Sequence, residues 1–345
     1  MMDRENFMLR AIELAANGLG HTSPNPMVGC VITRQNLVIG EGWHRKFGEA
    51  HAEVNAIDQV SNPEWLKESE MYVTLEPCSH FGKTPPCSDL IIGKGIPSVY
   101  VSQIDPNPVV NGKGIQKLRE AGVRVETGFL EDQARTLNKR YLTALQENRP
   151  YIVLKWAQTL DNFIAHENYD SKWISHELSR QLVHKWRSQE DAVLVGFNTA
   201  RYDNPRLNVR NWTGRDPVRI VIDKTLELPK DLKIFDTDQH TIILNTQIDQ
   251  TIGNVSYIQA GPENFLCSSL QHLREIGVHS VMVEGGRGTL SDFINQGVWD
   301  EARIFTGNQV FNSGIRAPEL KDRTLIEKKE TGDDMLFVFK RNNSL

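Results

Sequence analysis

The spacing of apolar residues divides the chain into short segments of two kinds. Phe7, Met8, Ala11, Ile12, Ala15, Ala16 and Leu19 recur at three- and four-residue intervals, which predicts an amphipathic helix at the start. Two β-rich runs follow, MVGCVIT and LVIGEGWH, joined by the turn-like RQN. A helix is expected from about His51 through AEVNAIDQV. Then come strand MYVTLEP, helix CSDLIIGKG, strand SVYVSQI, helix IQKLREAG, strand VRVETGF and helix EDQARTLNKRYLTALQE. Such alternation predicts a layered α/β sheet with helices on its faces.

The pattern breaks at ENRPYIVLK, where charged and polar residues and a proline interrupt it, and then starts again. A boundary near residues 147–150 divides a first domain, 1–148, from a second, 149–345. The second half offers strands YIVLKWAQ, DAVLVG, PVRIVID, TIILN, SVMVEGG, EARIFTG and MLFVFKR. Helices are expected near HELSRQLVHKWR, PENFLCSSLQHLREIG and LSDFINQ. This is a second α/β unit, not a repeat of the first.

Composition adds limits. A length of 345 residues favours two domains, and 39% hydrophobic with 24% charged residues is ordinary globular usage. A net charge of -5 argues against a broad basic face for nucleic acid, while leaving room for a small anionic substrate held by two or three cations. The first residues include acidic side chains and no long apolar run, so they do not read as a signal peptide. No stretch approaches the roughly 18 apolar residues of a membrane span. A cytoplasmic protein without a membrane partner is expected. The chain has 4 cysteines, too few in a reducing compartment for a disulfide framework. Cys30 in VGCVI and Cys267 in NFLCSSL are expected as small buried hydrophobes.

Cys78 and Cys87, in TLEPCSHFGKTPPC, differ from these: each follows a proline, and the segment between them is polar and turn-forming. Catalytic zinc commonly takes three protein ligands and leaves a fourth position for water. Cys78, Cys87 and His51 of GEAHAEVNAI supply that set, and Glu53 lies two residues beyond the histidine as a proton shuttle that does not ligate the metal. A His-x-Glu pair followed by Pro-Cys and a second Cys is the signature of zinc deaminases of nucleobases. Here eight residues separate the cysteines instead of two. Two residues on a regular helix point about 200° apart. His51 is therefore expected just outside a helix start, with Cys78 at a strand end and Cys87 opening the next helix, where the helix N-terminus favours thiolate. The alternatives are a structural zinc with His80 as its fourth ligand, or two unrelated cysteines.

SPNPMVGCVI, GEGWH, HAEVNAI, TLEPCSHFGKTPPC and QIDPNP together resemble the deaminase domain of the bifunctional riboflavin-biosynthesis deaminase–reductases. PYIVLKWAQTLD, SKWIS, DAVLVGFNTARYDNPRLNVR, PVRIVID and VMVEGG follow in that family's order. The resemblance covers nearly the whole chain, and its first-half motifs are the more diagnostic. It implies a cytidine-deaminase-like three-layer domain followed by a dihydrofolate-reductase-like domain. The implied activities are zinc hydrolytic deamination of a diaminopyrimidinone carrying a ribosylamino phosphate, then NADPH reduction of its ribosyl chain to ribityl. It also implies a homo-oligomer, a dimer or higher.

Carried over by motif, Asn25, His44, His80 and Lys83 shape the deaminase substrate pocket. Read alone, Asn25 between two prolines also serves to organise a turn, His44 a structural contact, and Lys83 an exposed loop charge. In the reductase half, Ala157, Trp173, Thr199, Asp203, Gly286, Arg287 and Gly288 match cofactor positions, and Ser171, Arg187, Leu207, Arg210 and Glu284 match substrate positions. Arg187 and Arg210 suit a pair of forked donors to the substrate phosphate, and read alone each also fits an ordinary surface charge. Asp161 falls at the family's substrate-side aspartate, with Asn162 and Phe163 replacing the usual glycine and basic residue. That departure keeps a deaminase with a degenerate reductase-like module as the alternative. A nucleic-acid deaminase and a purely structural zinc protein are the others.

Overall fold

The computed structural model describes residues 4–79, 81, 85–171 and 174–342. The chain divides into two compact units, Met1–Gln146 and Glu147–Leu345.

The first unit runs α1 (Arg4–Ala16), β1 (Gly29–Arg34), β2 (Leu37–Trp43), α2 (Ala52–Asp58), β3 (Glu70–Leu75), α3 (Cys87–Lys94), β4 (Ser98–Gln103), α4 (Lys113–Glu120), β5 (Arg124–Thr127), α5 (Glu131–Leu137) and α6 (Lys139–Gln146). Its five-stranded sheet has the order β2-β1-β3-β4-β5. β1 runs antiparallel to β2 and β3, whereas β3, β4 and β5 are parallel. The turn between β1 and β2 is two residues long, and Gln35 and Asn36 both have positive φ, as a twisted hairpin requires.

Both faces of this sheet are covered because both sets of alternating side chains are apolar. Phe7, Met8, Ala11 and Leu14 of α1 pack on Val31, Tyr72 and Tyr100. The opposite face buries Ala52, Ala56 and Ile57 of α2 and Ile91 of α3 against Val73, Val99 and Val101. Gly42 permits the close seating of α2, since a Cβ there would collide with the backbone of Ala52 and Ala56. The single helix expected over 131–147 is broken at Asn138. That side chain is buried and clasps Met27, accepting from its N–H at 2.8 Å and donating to its carbonyl at 2.9 Å.

The second unit comprises β6 (Tyr151–Gln158), β7 (Phe163–Ala165), α7 (Glu177–Gln189), β8 (Ala192–Gly196), α8 (Phe197–Asp203), β9 (Val218–Ile222), β10 (Thr241–Asn245), β11 (Gln250–Ile252), β12 (Val255–Gln259), α9 (Phe265–Glu275), β13 (Ser280–Gly285), α10 (Arg287–Asn295), β14 (Glu301–Thr306), β15 (Ile315–Arg316), β16 (Arg323–Thr331) and β17 (Asp334–Arg341). Ten strands form one sheet, β11-β12-β10-β9-β8-β13-β6-β14-β17-β16, parallel from β12 through β14. Two apolar clusters cover its faces. Cys267 is exposed rather than buried, because α9 turns Phe265, Leu266, Ser269, Leu270 and Leu273 inward instead. Among the described residues, no helix is long and apolar enough to cross a membrane.

Candidate metal centre and cofactor cavity

His51 is the N-cap of α2, with extended backbone (φ -71°, ψ 164°), so its ring is not committed to the helix surface. Cys78 follows the end of β3, and Cys87 is the first residue of α3. The ligand-capable atoms of these three side chains lie within 4.8 Å of one another. His51 Nδ1 stands 3.3 Å from Cys87 Sγ and 3.6 Å from Cys78 Sγ. The Cys87 N–H donates to Cys78 Sγ at 3.3 Å, and the Ser88 N–H to the Cys78 carbonyl at 3.1 Å.

The donor set fits zinc on its own chemistry. Hydrogen bonds from the Cys87 thiol and from His51 hold the Cys78 thiol well below its ordinary value, against the cost of burial. Cys87 is pushed up by the neighbouring Cys78 sulfur and by burial. Without a cation only one of the two sulfurs is held as a thiolate, and ionising the second beside it would call for a metal ion. Glu53, only 3% exposed, is also raised, first by burial and then by Cys78, with His51 and Cys87 opposing.

Asn25 and His44 stand beside this cluster. His44 Nδ1 lies 3.1 Å from the Ala50 carbonyl, which makes it the protonated nitrogen, and Nε2 then accepts from Asn25 Nδ2 at 3.2 Å. Burial lowers the His44 pKa, with His51 adding to the effect and Ala50 opposing it, so the ring is neutral at pH 7. The His44 and His51 rings meet edge to face at 5.6 Å. Asn55, not singled out by sequence, secures the connecting loop by donating to the Trp43 carbonyl at 2.8 Å. His80 and Lys83 lie outside the described residues.

In the second unit, a cavity of about 1240 Å³ opens at the carboxyl ends of β6, β8, β9 and β13. This is where the strand order reverses direction, the usual ligand crevice of an open parallel sheet. Ala157, Ser171, Arg187, Thr199, Asp203, Leu207, Arg210, Glu284, Gly286, Arg287 and Gly288 all line it. Trp173 lies outside the described residues. Gly285 and Gly286 have positive φ and lead into α10, so that its N-terminus lines the cavity.

Arg187 and Arg210 line the same cavity, and Arg187 is engaged there: its Nε and Nη2 grip Glu284 at 2.6 and 2.8 Å, and Nη1 reaches the Asn208 carbonyl at 2.9 Å. A buried carboxylate needs such a counter-charge. Although burial alone would raise it, Arg187 and Lys155 hold Glu284 down at about 2. Asp161 is not among the cavity's lining residues; its carboxylate accepts from the Thr159 hydroxyl and from the Phe311 and Asn312 N–H groups. Asn162 adopts φ 65°, a left-handed conformation that asparagine tolerates well.

Sequence reading missed Lys155 and His184. Lys155 is half-buried and lines the cavity, and burial lowers its pKa, with Arg187 adding and Glu284 opposing. A single cation inside the apolar run YIVLKWAQ was its visible signal. His184 lines the same cavity and is held at about 4 by burial and by Arg187 and Arg210, so it is neutral.

Comparisons with known proteins agree with both halves. The cytidine and deoxycytidylate deaminase zinc-binding region matches residues 1–103, and the RibD C-terminal domain matches residues 150–311. The riboflavin biosynthesis protein RibD of Aquifex aeolicus is 39% identical, over 98% of each chain. A solved diaminohydroxyphosphoribosylaminopyrimidine deaminase/5-amino-6-(5-phosphoribosylamino)uracil reductase from Thermotoga maritima is 35% identical, covers 98% of both chains and superposes with a TM-score of 0.89. Acinetobacter baumannii RibD is 33% identical with a TM-score of 0.88, covering 97% of this chain and 98% of that one. On this agreement along its whole length, the chain belongs to the RibD family of riboflavin biosynthesis proteins, bifunctional enzymes with a zinc-binding deaminase domain followed by a reductase domain.

Proposed function

We propose that the first unit hydrolyses the 2-amino group of 2,5-diamino-6-(5-phosphoribosylamino)pyrimidin-4(3H)-one. The second unit then reduces the ribosyl chain with NADPH to give 5-amino-6-(5-phosphoribitylamino)uracil. One observation carries this reading: the same chain holds a His51–Cys78–Cys87 cluster beside buried Glu53, and a cavity whose polar floor is Lys155, Glu284 and Arg187. The activities named for the Thermotoga maritima relative support the substrate.

His51, Cys78 and Cys87 would hold zinc, which supplies the Lewis acidity that makes water nucleophilic at neutral pH. Glu53 takes the proton from the attacking water and hands it to the departing ammonia. His44 and Asn25 orient the pyrimidine edge, and the family resemblance assigns His80 and Lys83 to the same substrate. Free thiolate ligands suit the reducing cytoplasm. A homo-oligomer, dimer or higher, rests on the family resemblance.

In the second unit, Gly286, Arg287 and Gly288 at the start of α10 would cradle the cofactor pyrophosphate. Ala157, Thr199 and Asp203 line the same cavity, and the family resemblance assigns Trp173 to the cofactor as well. Lys224, Lys233 and Arg206 line the same cavity, and these cations favour NADPH, with its extra phosphate, over NADH. When bound there, NADPH would supply the hydride that the ribosyl C1 requires. As the C1–ring-oxygen bond breaks, that oxygen needs a proton, which Lys155 is placed to hold. Ser171, Leu207, Arg210 and Glu284 form the substrate side, with Arg187 securing Glu284.

The test is incubation with the diaminopyrimidine phosphate, with and without NADPH, followed by product mass analysis. Deamination is expected in both, and a gain of two hydrogens only with NADPH. Deamination with no oxidation of NADPH or NADH would make the second unit a degenerate module. Arg210 is exposed, and its guanidinium donates to Asn208 Oδ1 at 3.3 Å. Arg210→Ala should raise the reductase KM about 10- to 100-fold, the worth of a charged hydrogen bond to phosphate, and leave deamination alone. A chain ending at Glu147 should keep zinc-dependent deamination; a folded, zinc-loaded fragment that cannot deaminate would tie the first site to the second unit.

A further inference from the structure

Helix α4 begins without a side-chain cap of its own, because its N-cap is Gly112. The first N–H groups of a helix need acceptors, and in this helix a carboxylate from another strand end provides them. Glu76 Oε2 accepts from the Gly112 N–H at 2.9 Å and from the Asp105 N–H at 3.3 Å. Its Oε1 accepts from the Gly114 N–H at 2.9 Å and from the Ile115 N–H at 3.3 Å. One carboxylate thus closes the loop from Asp105 to Ile115 at both ends. Glu76 is 4% exposed, so it makes these bonds out of reach of competing water.

The same contact bears on the metal ligand two residues later. Gly114 lies against Pro77, and a Cβ at position 114 would collide with the Pro77 carbonyl. The Glu76 N–H donates to the Gln103 carbonyl at 2.9 Å. Glu76 and Pro77 are therefore fixed by β4 on one side and by α4 on the other, immediately before Cys78. We infer that Glu76 is a positioning residue for the metal centre: by capping α4 it sets the path of the Pro77–Cys78 arm, and so the distance of the Cys78 sulfur from His51 and Cys87. This rests on the zinc reading of that cluster.

The test uses the full chain and the metals alone. Glu76→Gln keeps the shape but turns an amide NH₂ toward N–H donors, so two of the four bonds are lost. Competition with a chromogenic chelator should show zinc affinity lowered about 10- to 100-fold, the usual cost of removing a residue that supports a ligand. The absorption bands of the Co²⁺-loaded protein should shift, deamination should recover at excess zinc, and NADPH oxidation should be unchanged. A purely structural role would lower the melting temperature and leave affinity and bands alone; that result in folded Glu76→Gln overturns the inference. Should that variant fail to fold, Gly114→Ala decides. It retains the carboxylate and improves helix propensity but presses a methyl on Pro77, so the same loss of zinc affinity is expected. Wild-type affinity and bands in Gly114→Ala overturn the inference. Wild-type protein that takes up neither metal sinks the metal-centre reading itself, and the inference with it.

Discussion

Glu53→Gln is expected to lower deamination about 100- to 10,000-fold while zinc content stays at the wild-type level. Glu53 lies in the first turn of α2, two residues from His51, with its side chain 3% exposed. Glutamine matches its volume and can remain in that site, so the core contacts of α2 survive. What disappears is the ability to take up a proton and release it. Burial raises the carboxyl pKa above that of an exposed glutamate, the direction that suits a group taking up a proton. Ammonia release and metal content, measured on the same sample, separate the possibilities. Zinc lost together with activity would make Glu53 a ligand or a structural residue. Full zinc with undiminished turnover would remove it from the proton path.

Much of the first site is legible in the sequence because its chemistry is local. His-x-Glu, Pro-Cys and the second Cys each sit where one strand or helix ends, and hydrophobic spacing locates those ends within a few residues. The Asn138 break in the last helix is hidden, because its cause is a partner 111 residues away, at Met27. Strand β16 escapes for a different reason. RTLIEKKET is exposed almost throughout, so neither face leaves an apolar alternation to read. In the second unit, the motifs point to the cavity residues but not to their partners. That Arg187 faces Glu284 depends on where α7 packs over β13, which no spacing along the chain encodes. Asp161 carries a familiar motif position, yet its hydrogen bonds run to residues 311 and 312, far along the chain.

Lys155→Met should cut the rate of ribosyl reduction by about 100- to 10,000-fold and leave deamination and cofactor affinity near wild type. β6 and β13 are paired with Leu154 opposite Val283, so Lys155 and Glu284 follow side by side, on the cavity. Burial lowers the Lys155 pKa and Arg187 lowers it further, while Glu284 pulls it back. The ammonium therefore gives up its proton more readily than an exposed lysine would, as a proton donor at neutral pH must. A plain counter-ion to Glu284 would need only a charge, and Arg187 already supplies one through two hydrogen bonds. Lys155→Arg distinguishes the two roles, because guanidinium keeps the charge but holds its proton too tightly to donate it. Single-turnover NADPH oxidation with the deaminated intermediate is the measurement, and both variants should be slow. Near-wild-type reduction by Lys155→Arg would reassign Lys155 to charge balance, and undiminished reduction by Lys155→Met would move the proton donor elsewhere in the cavity.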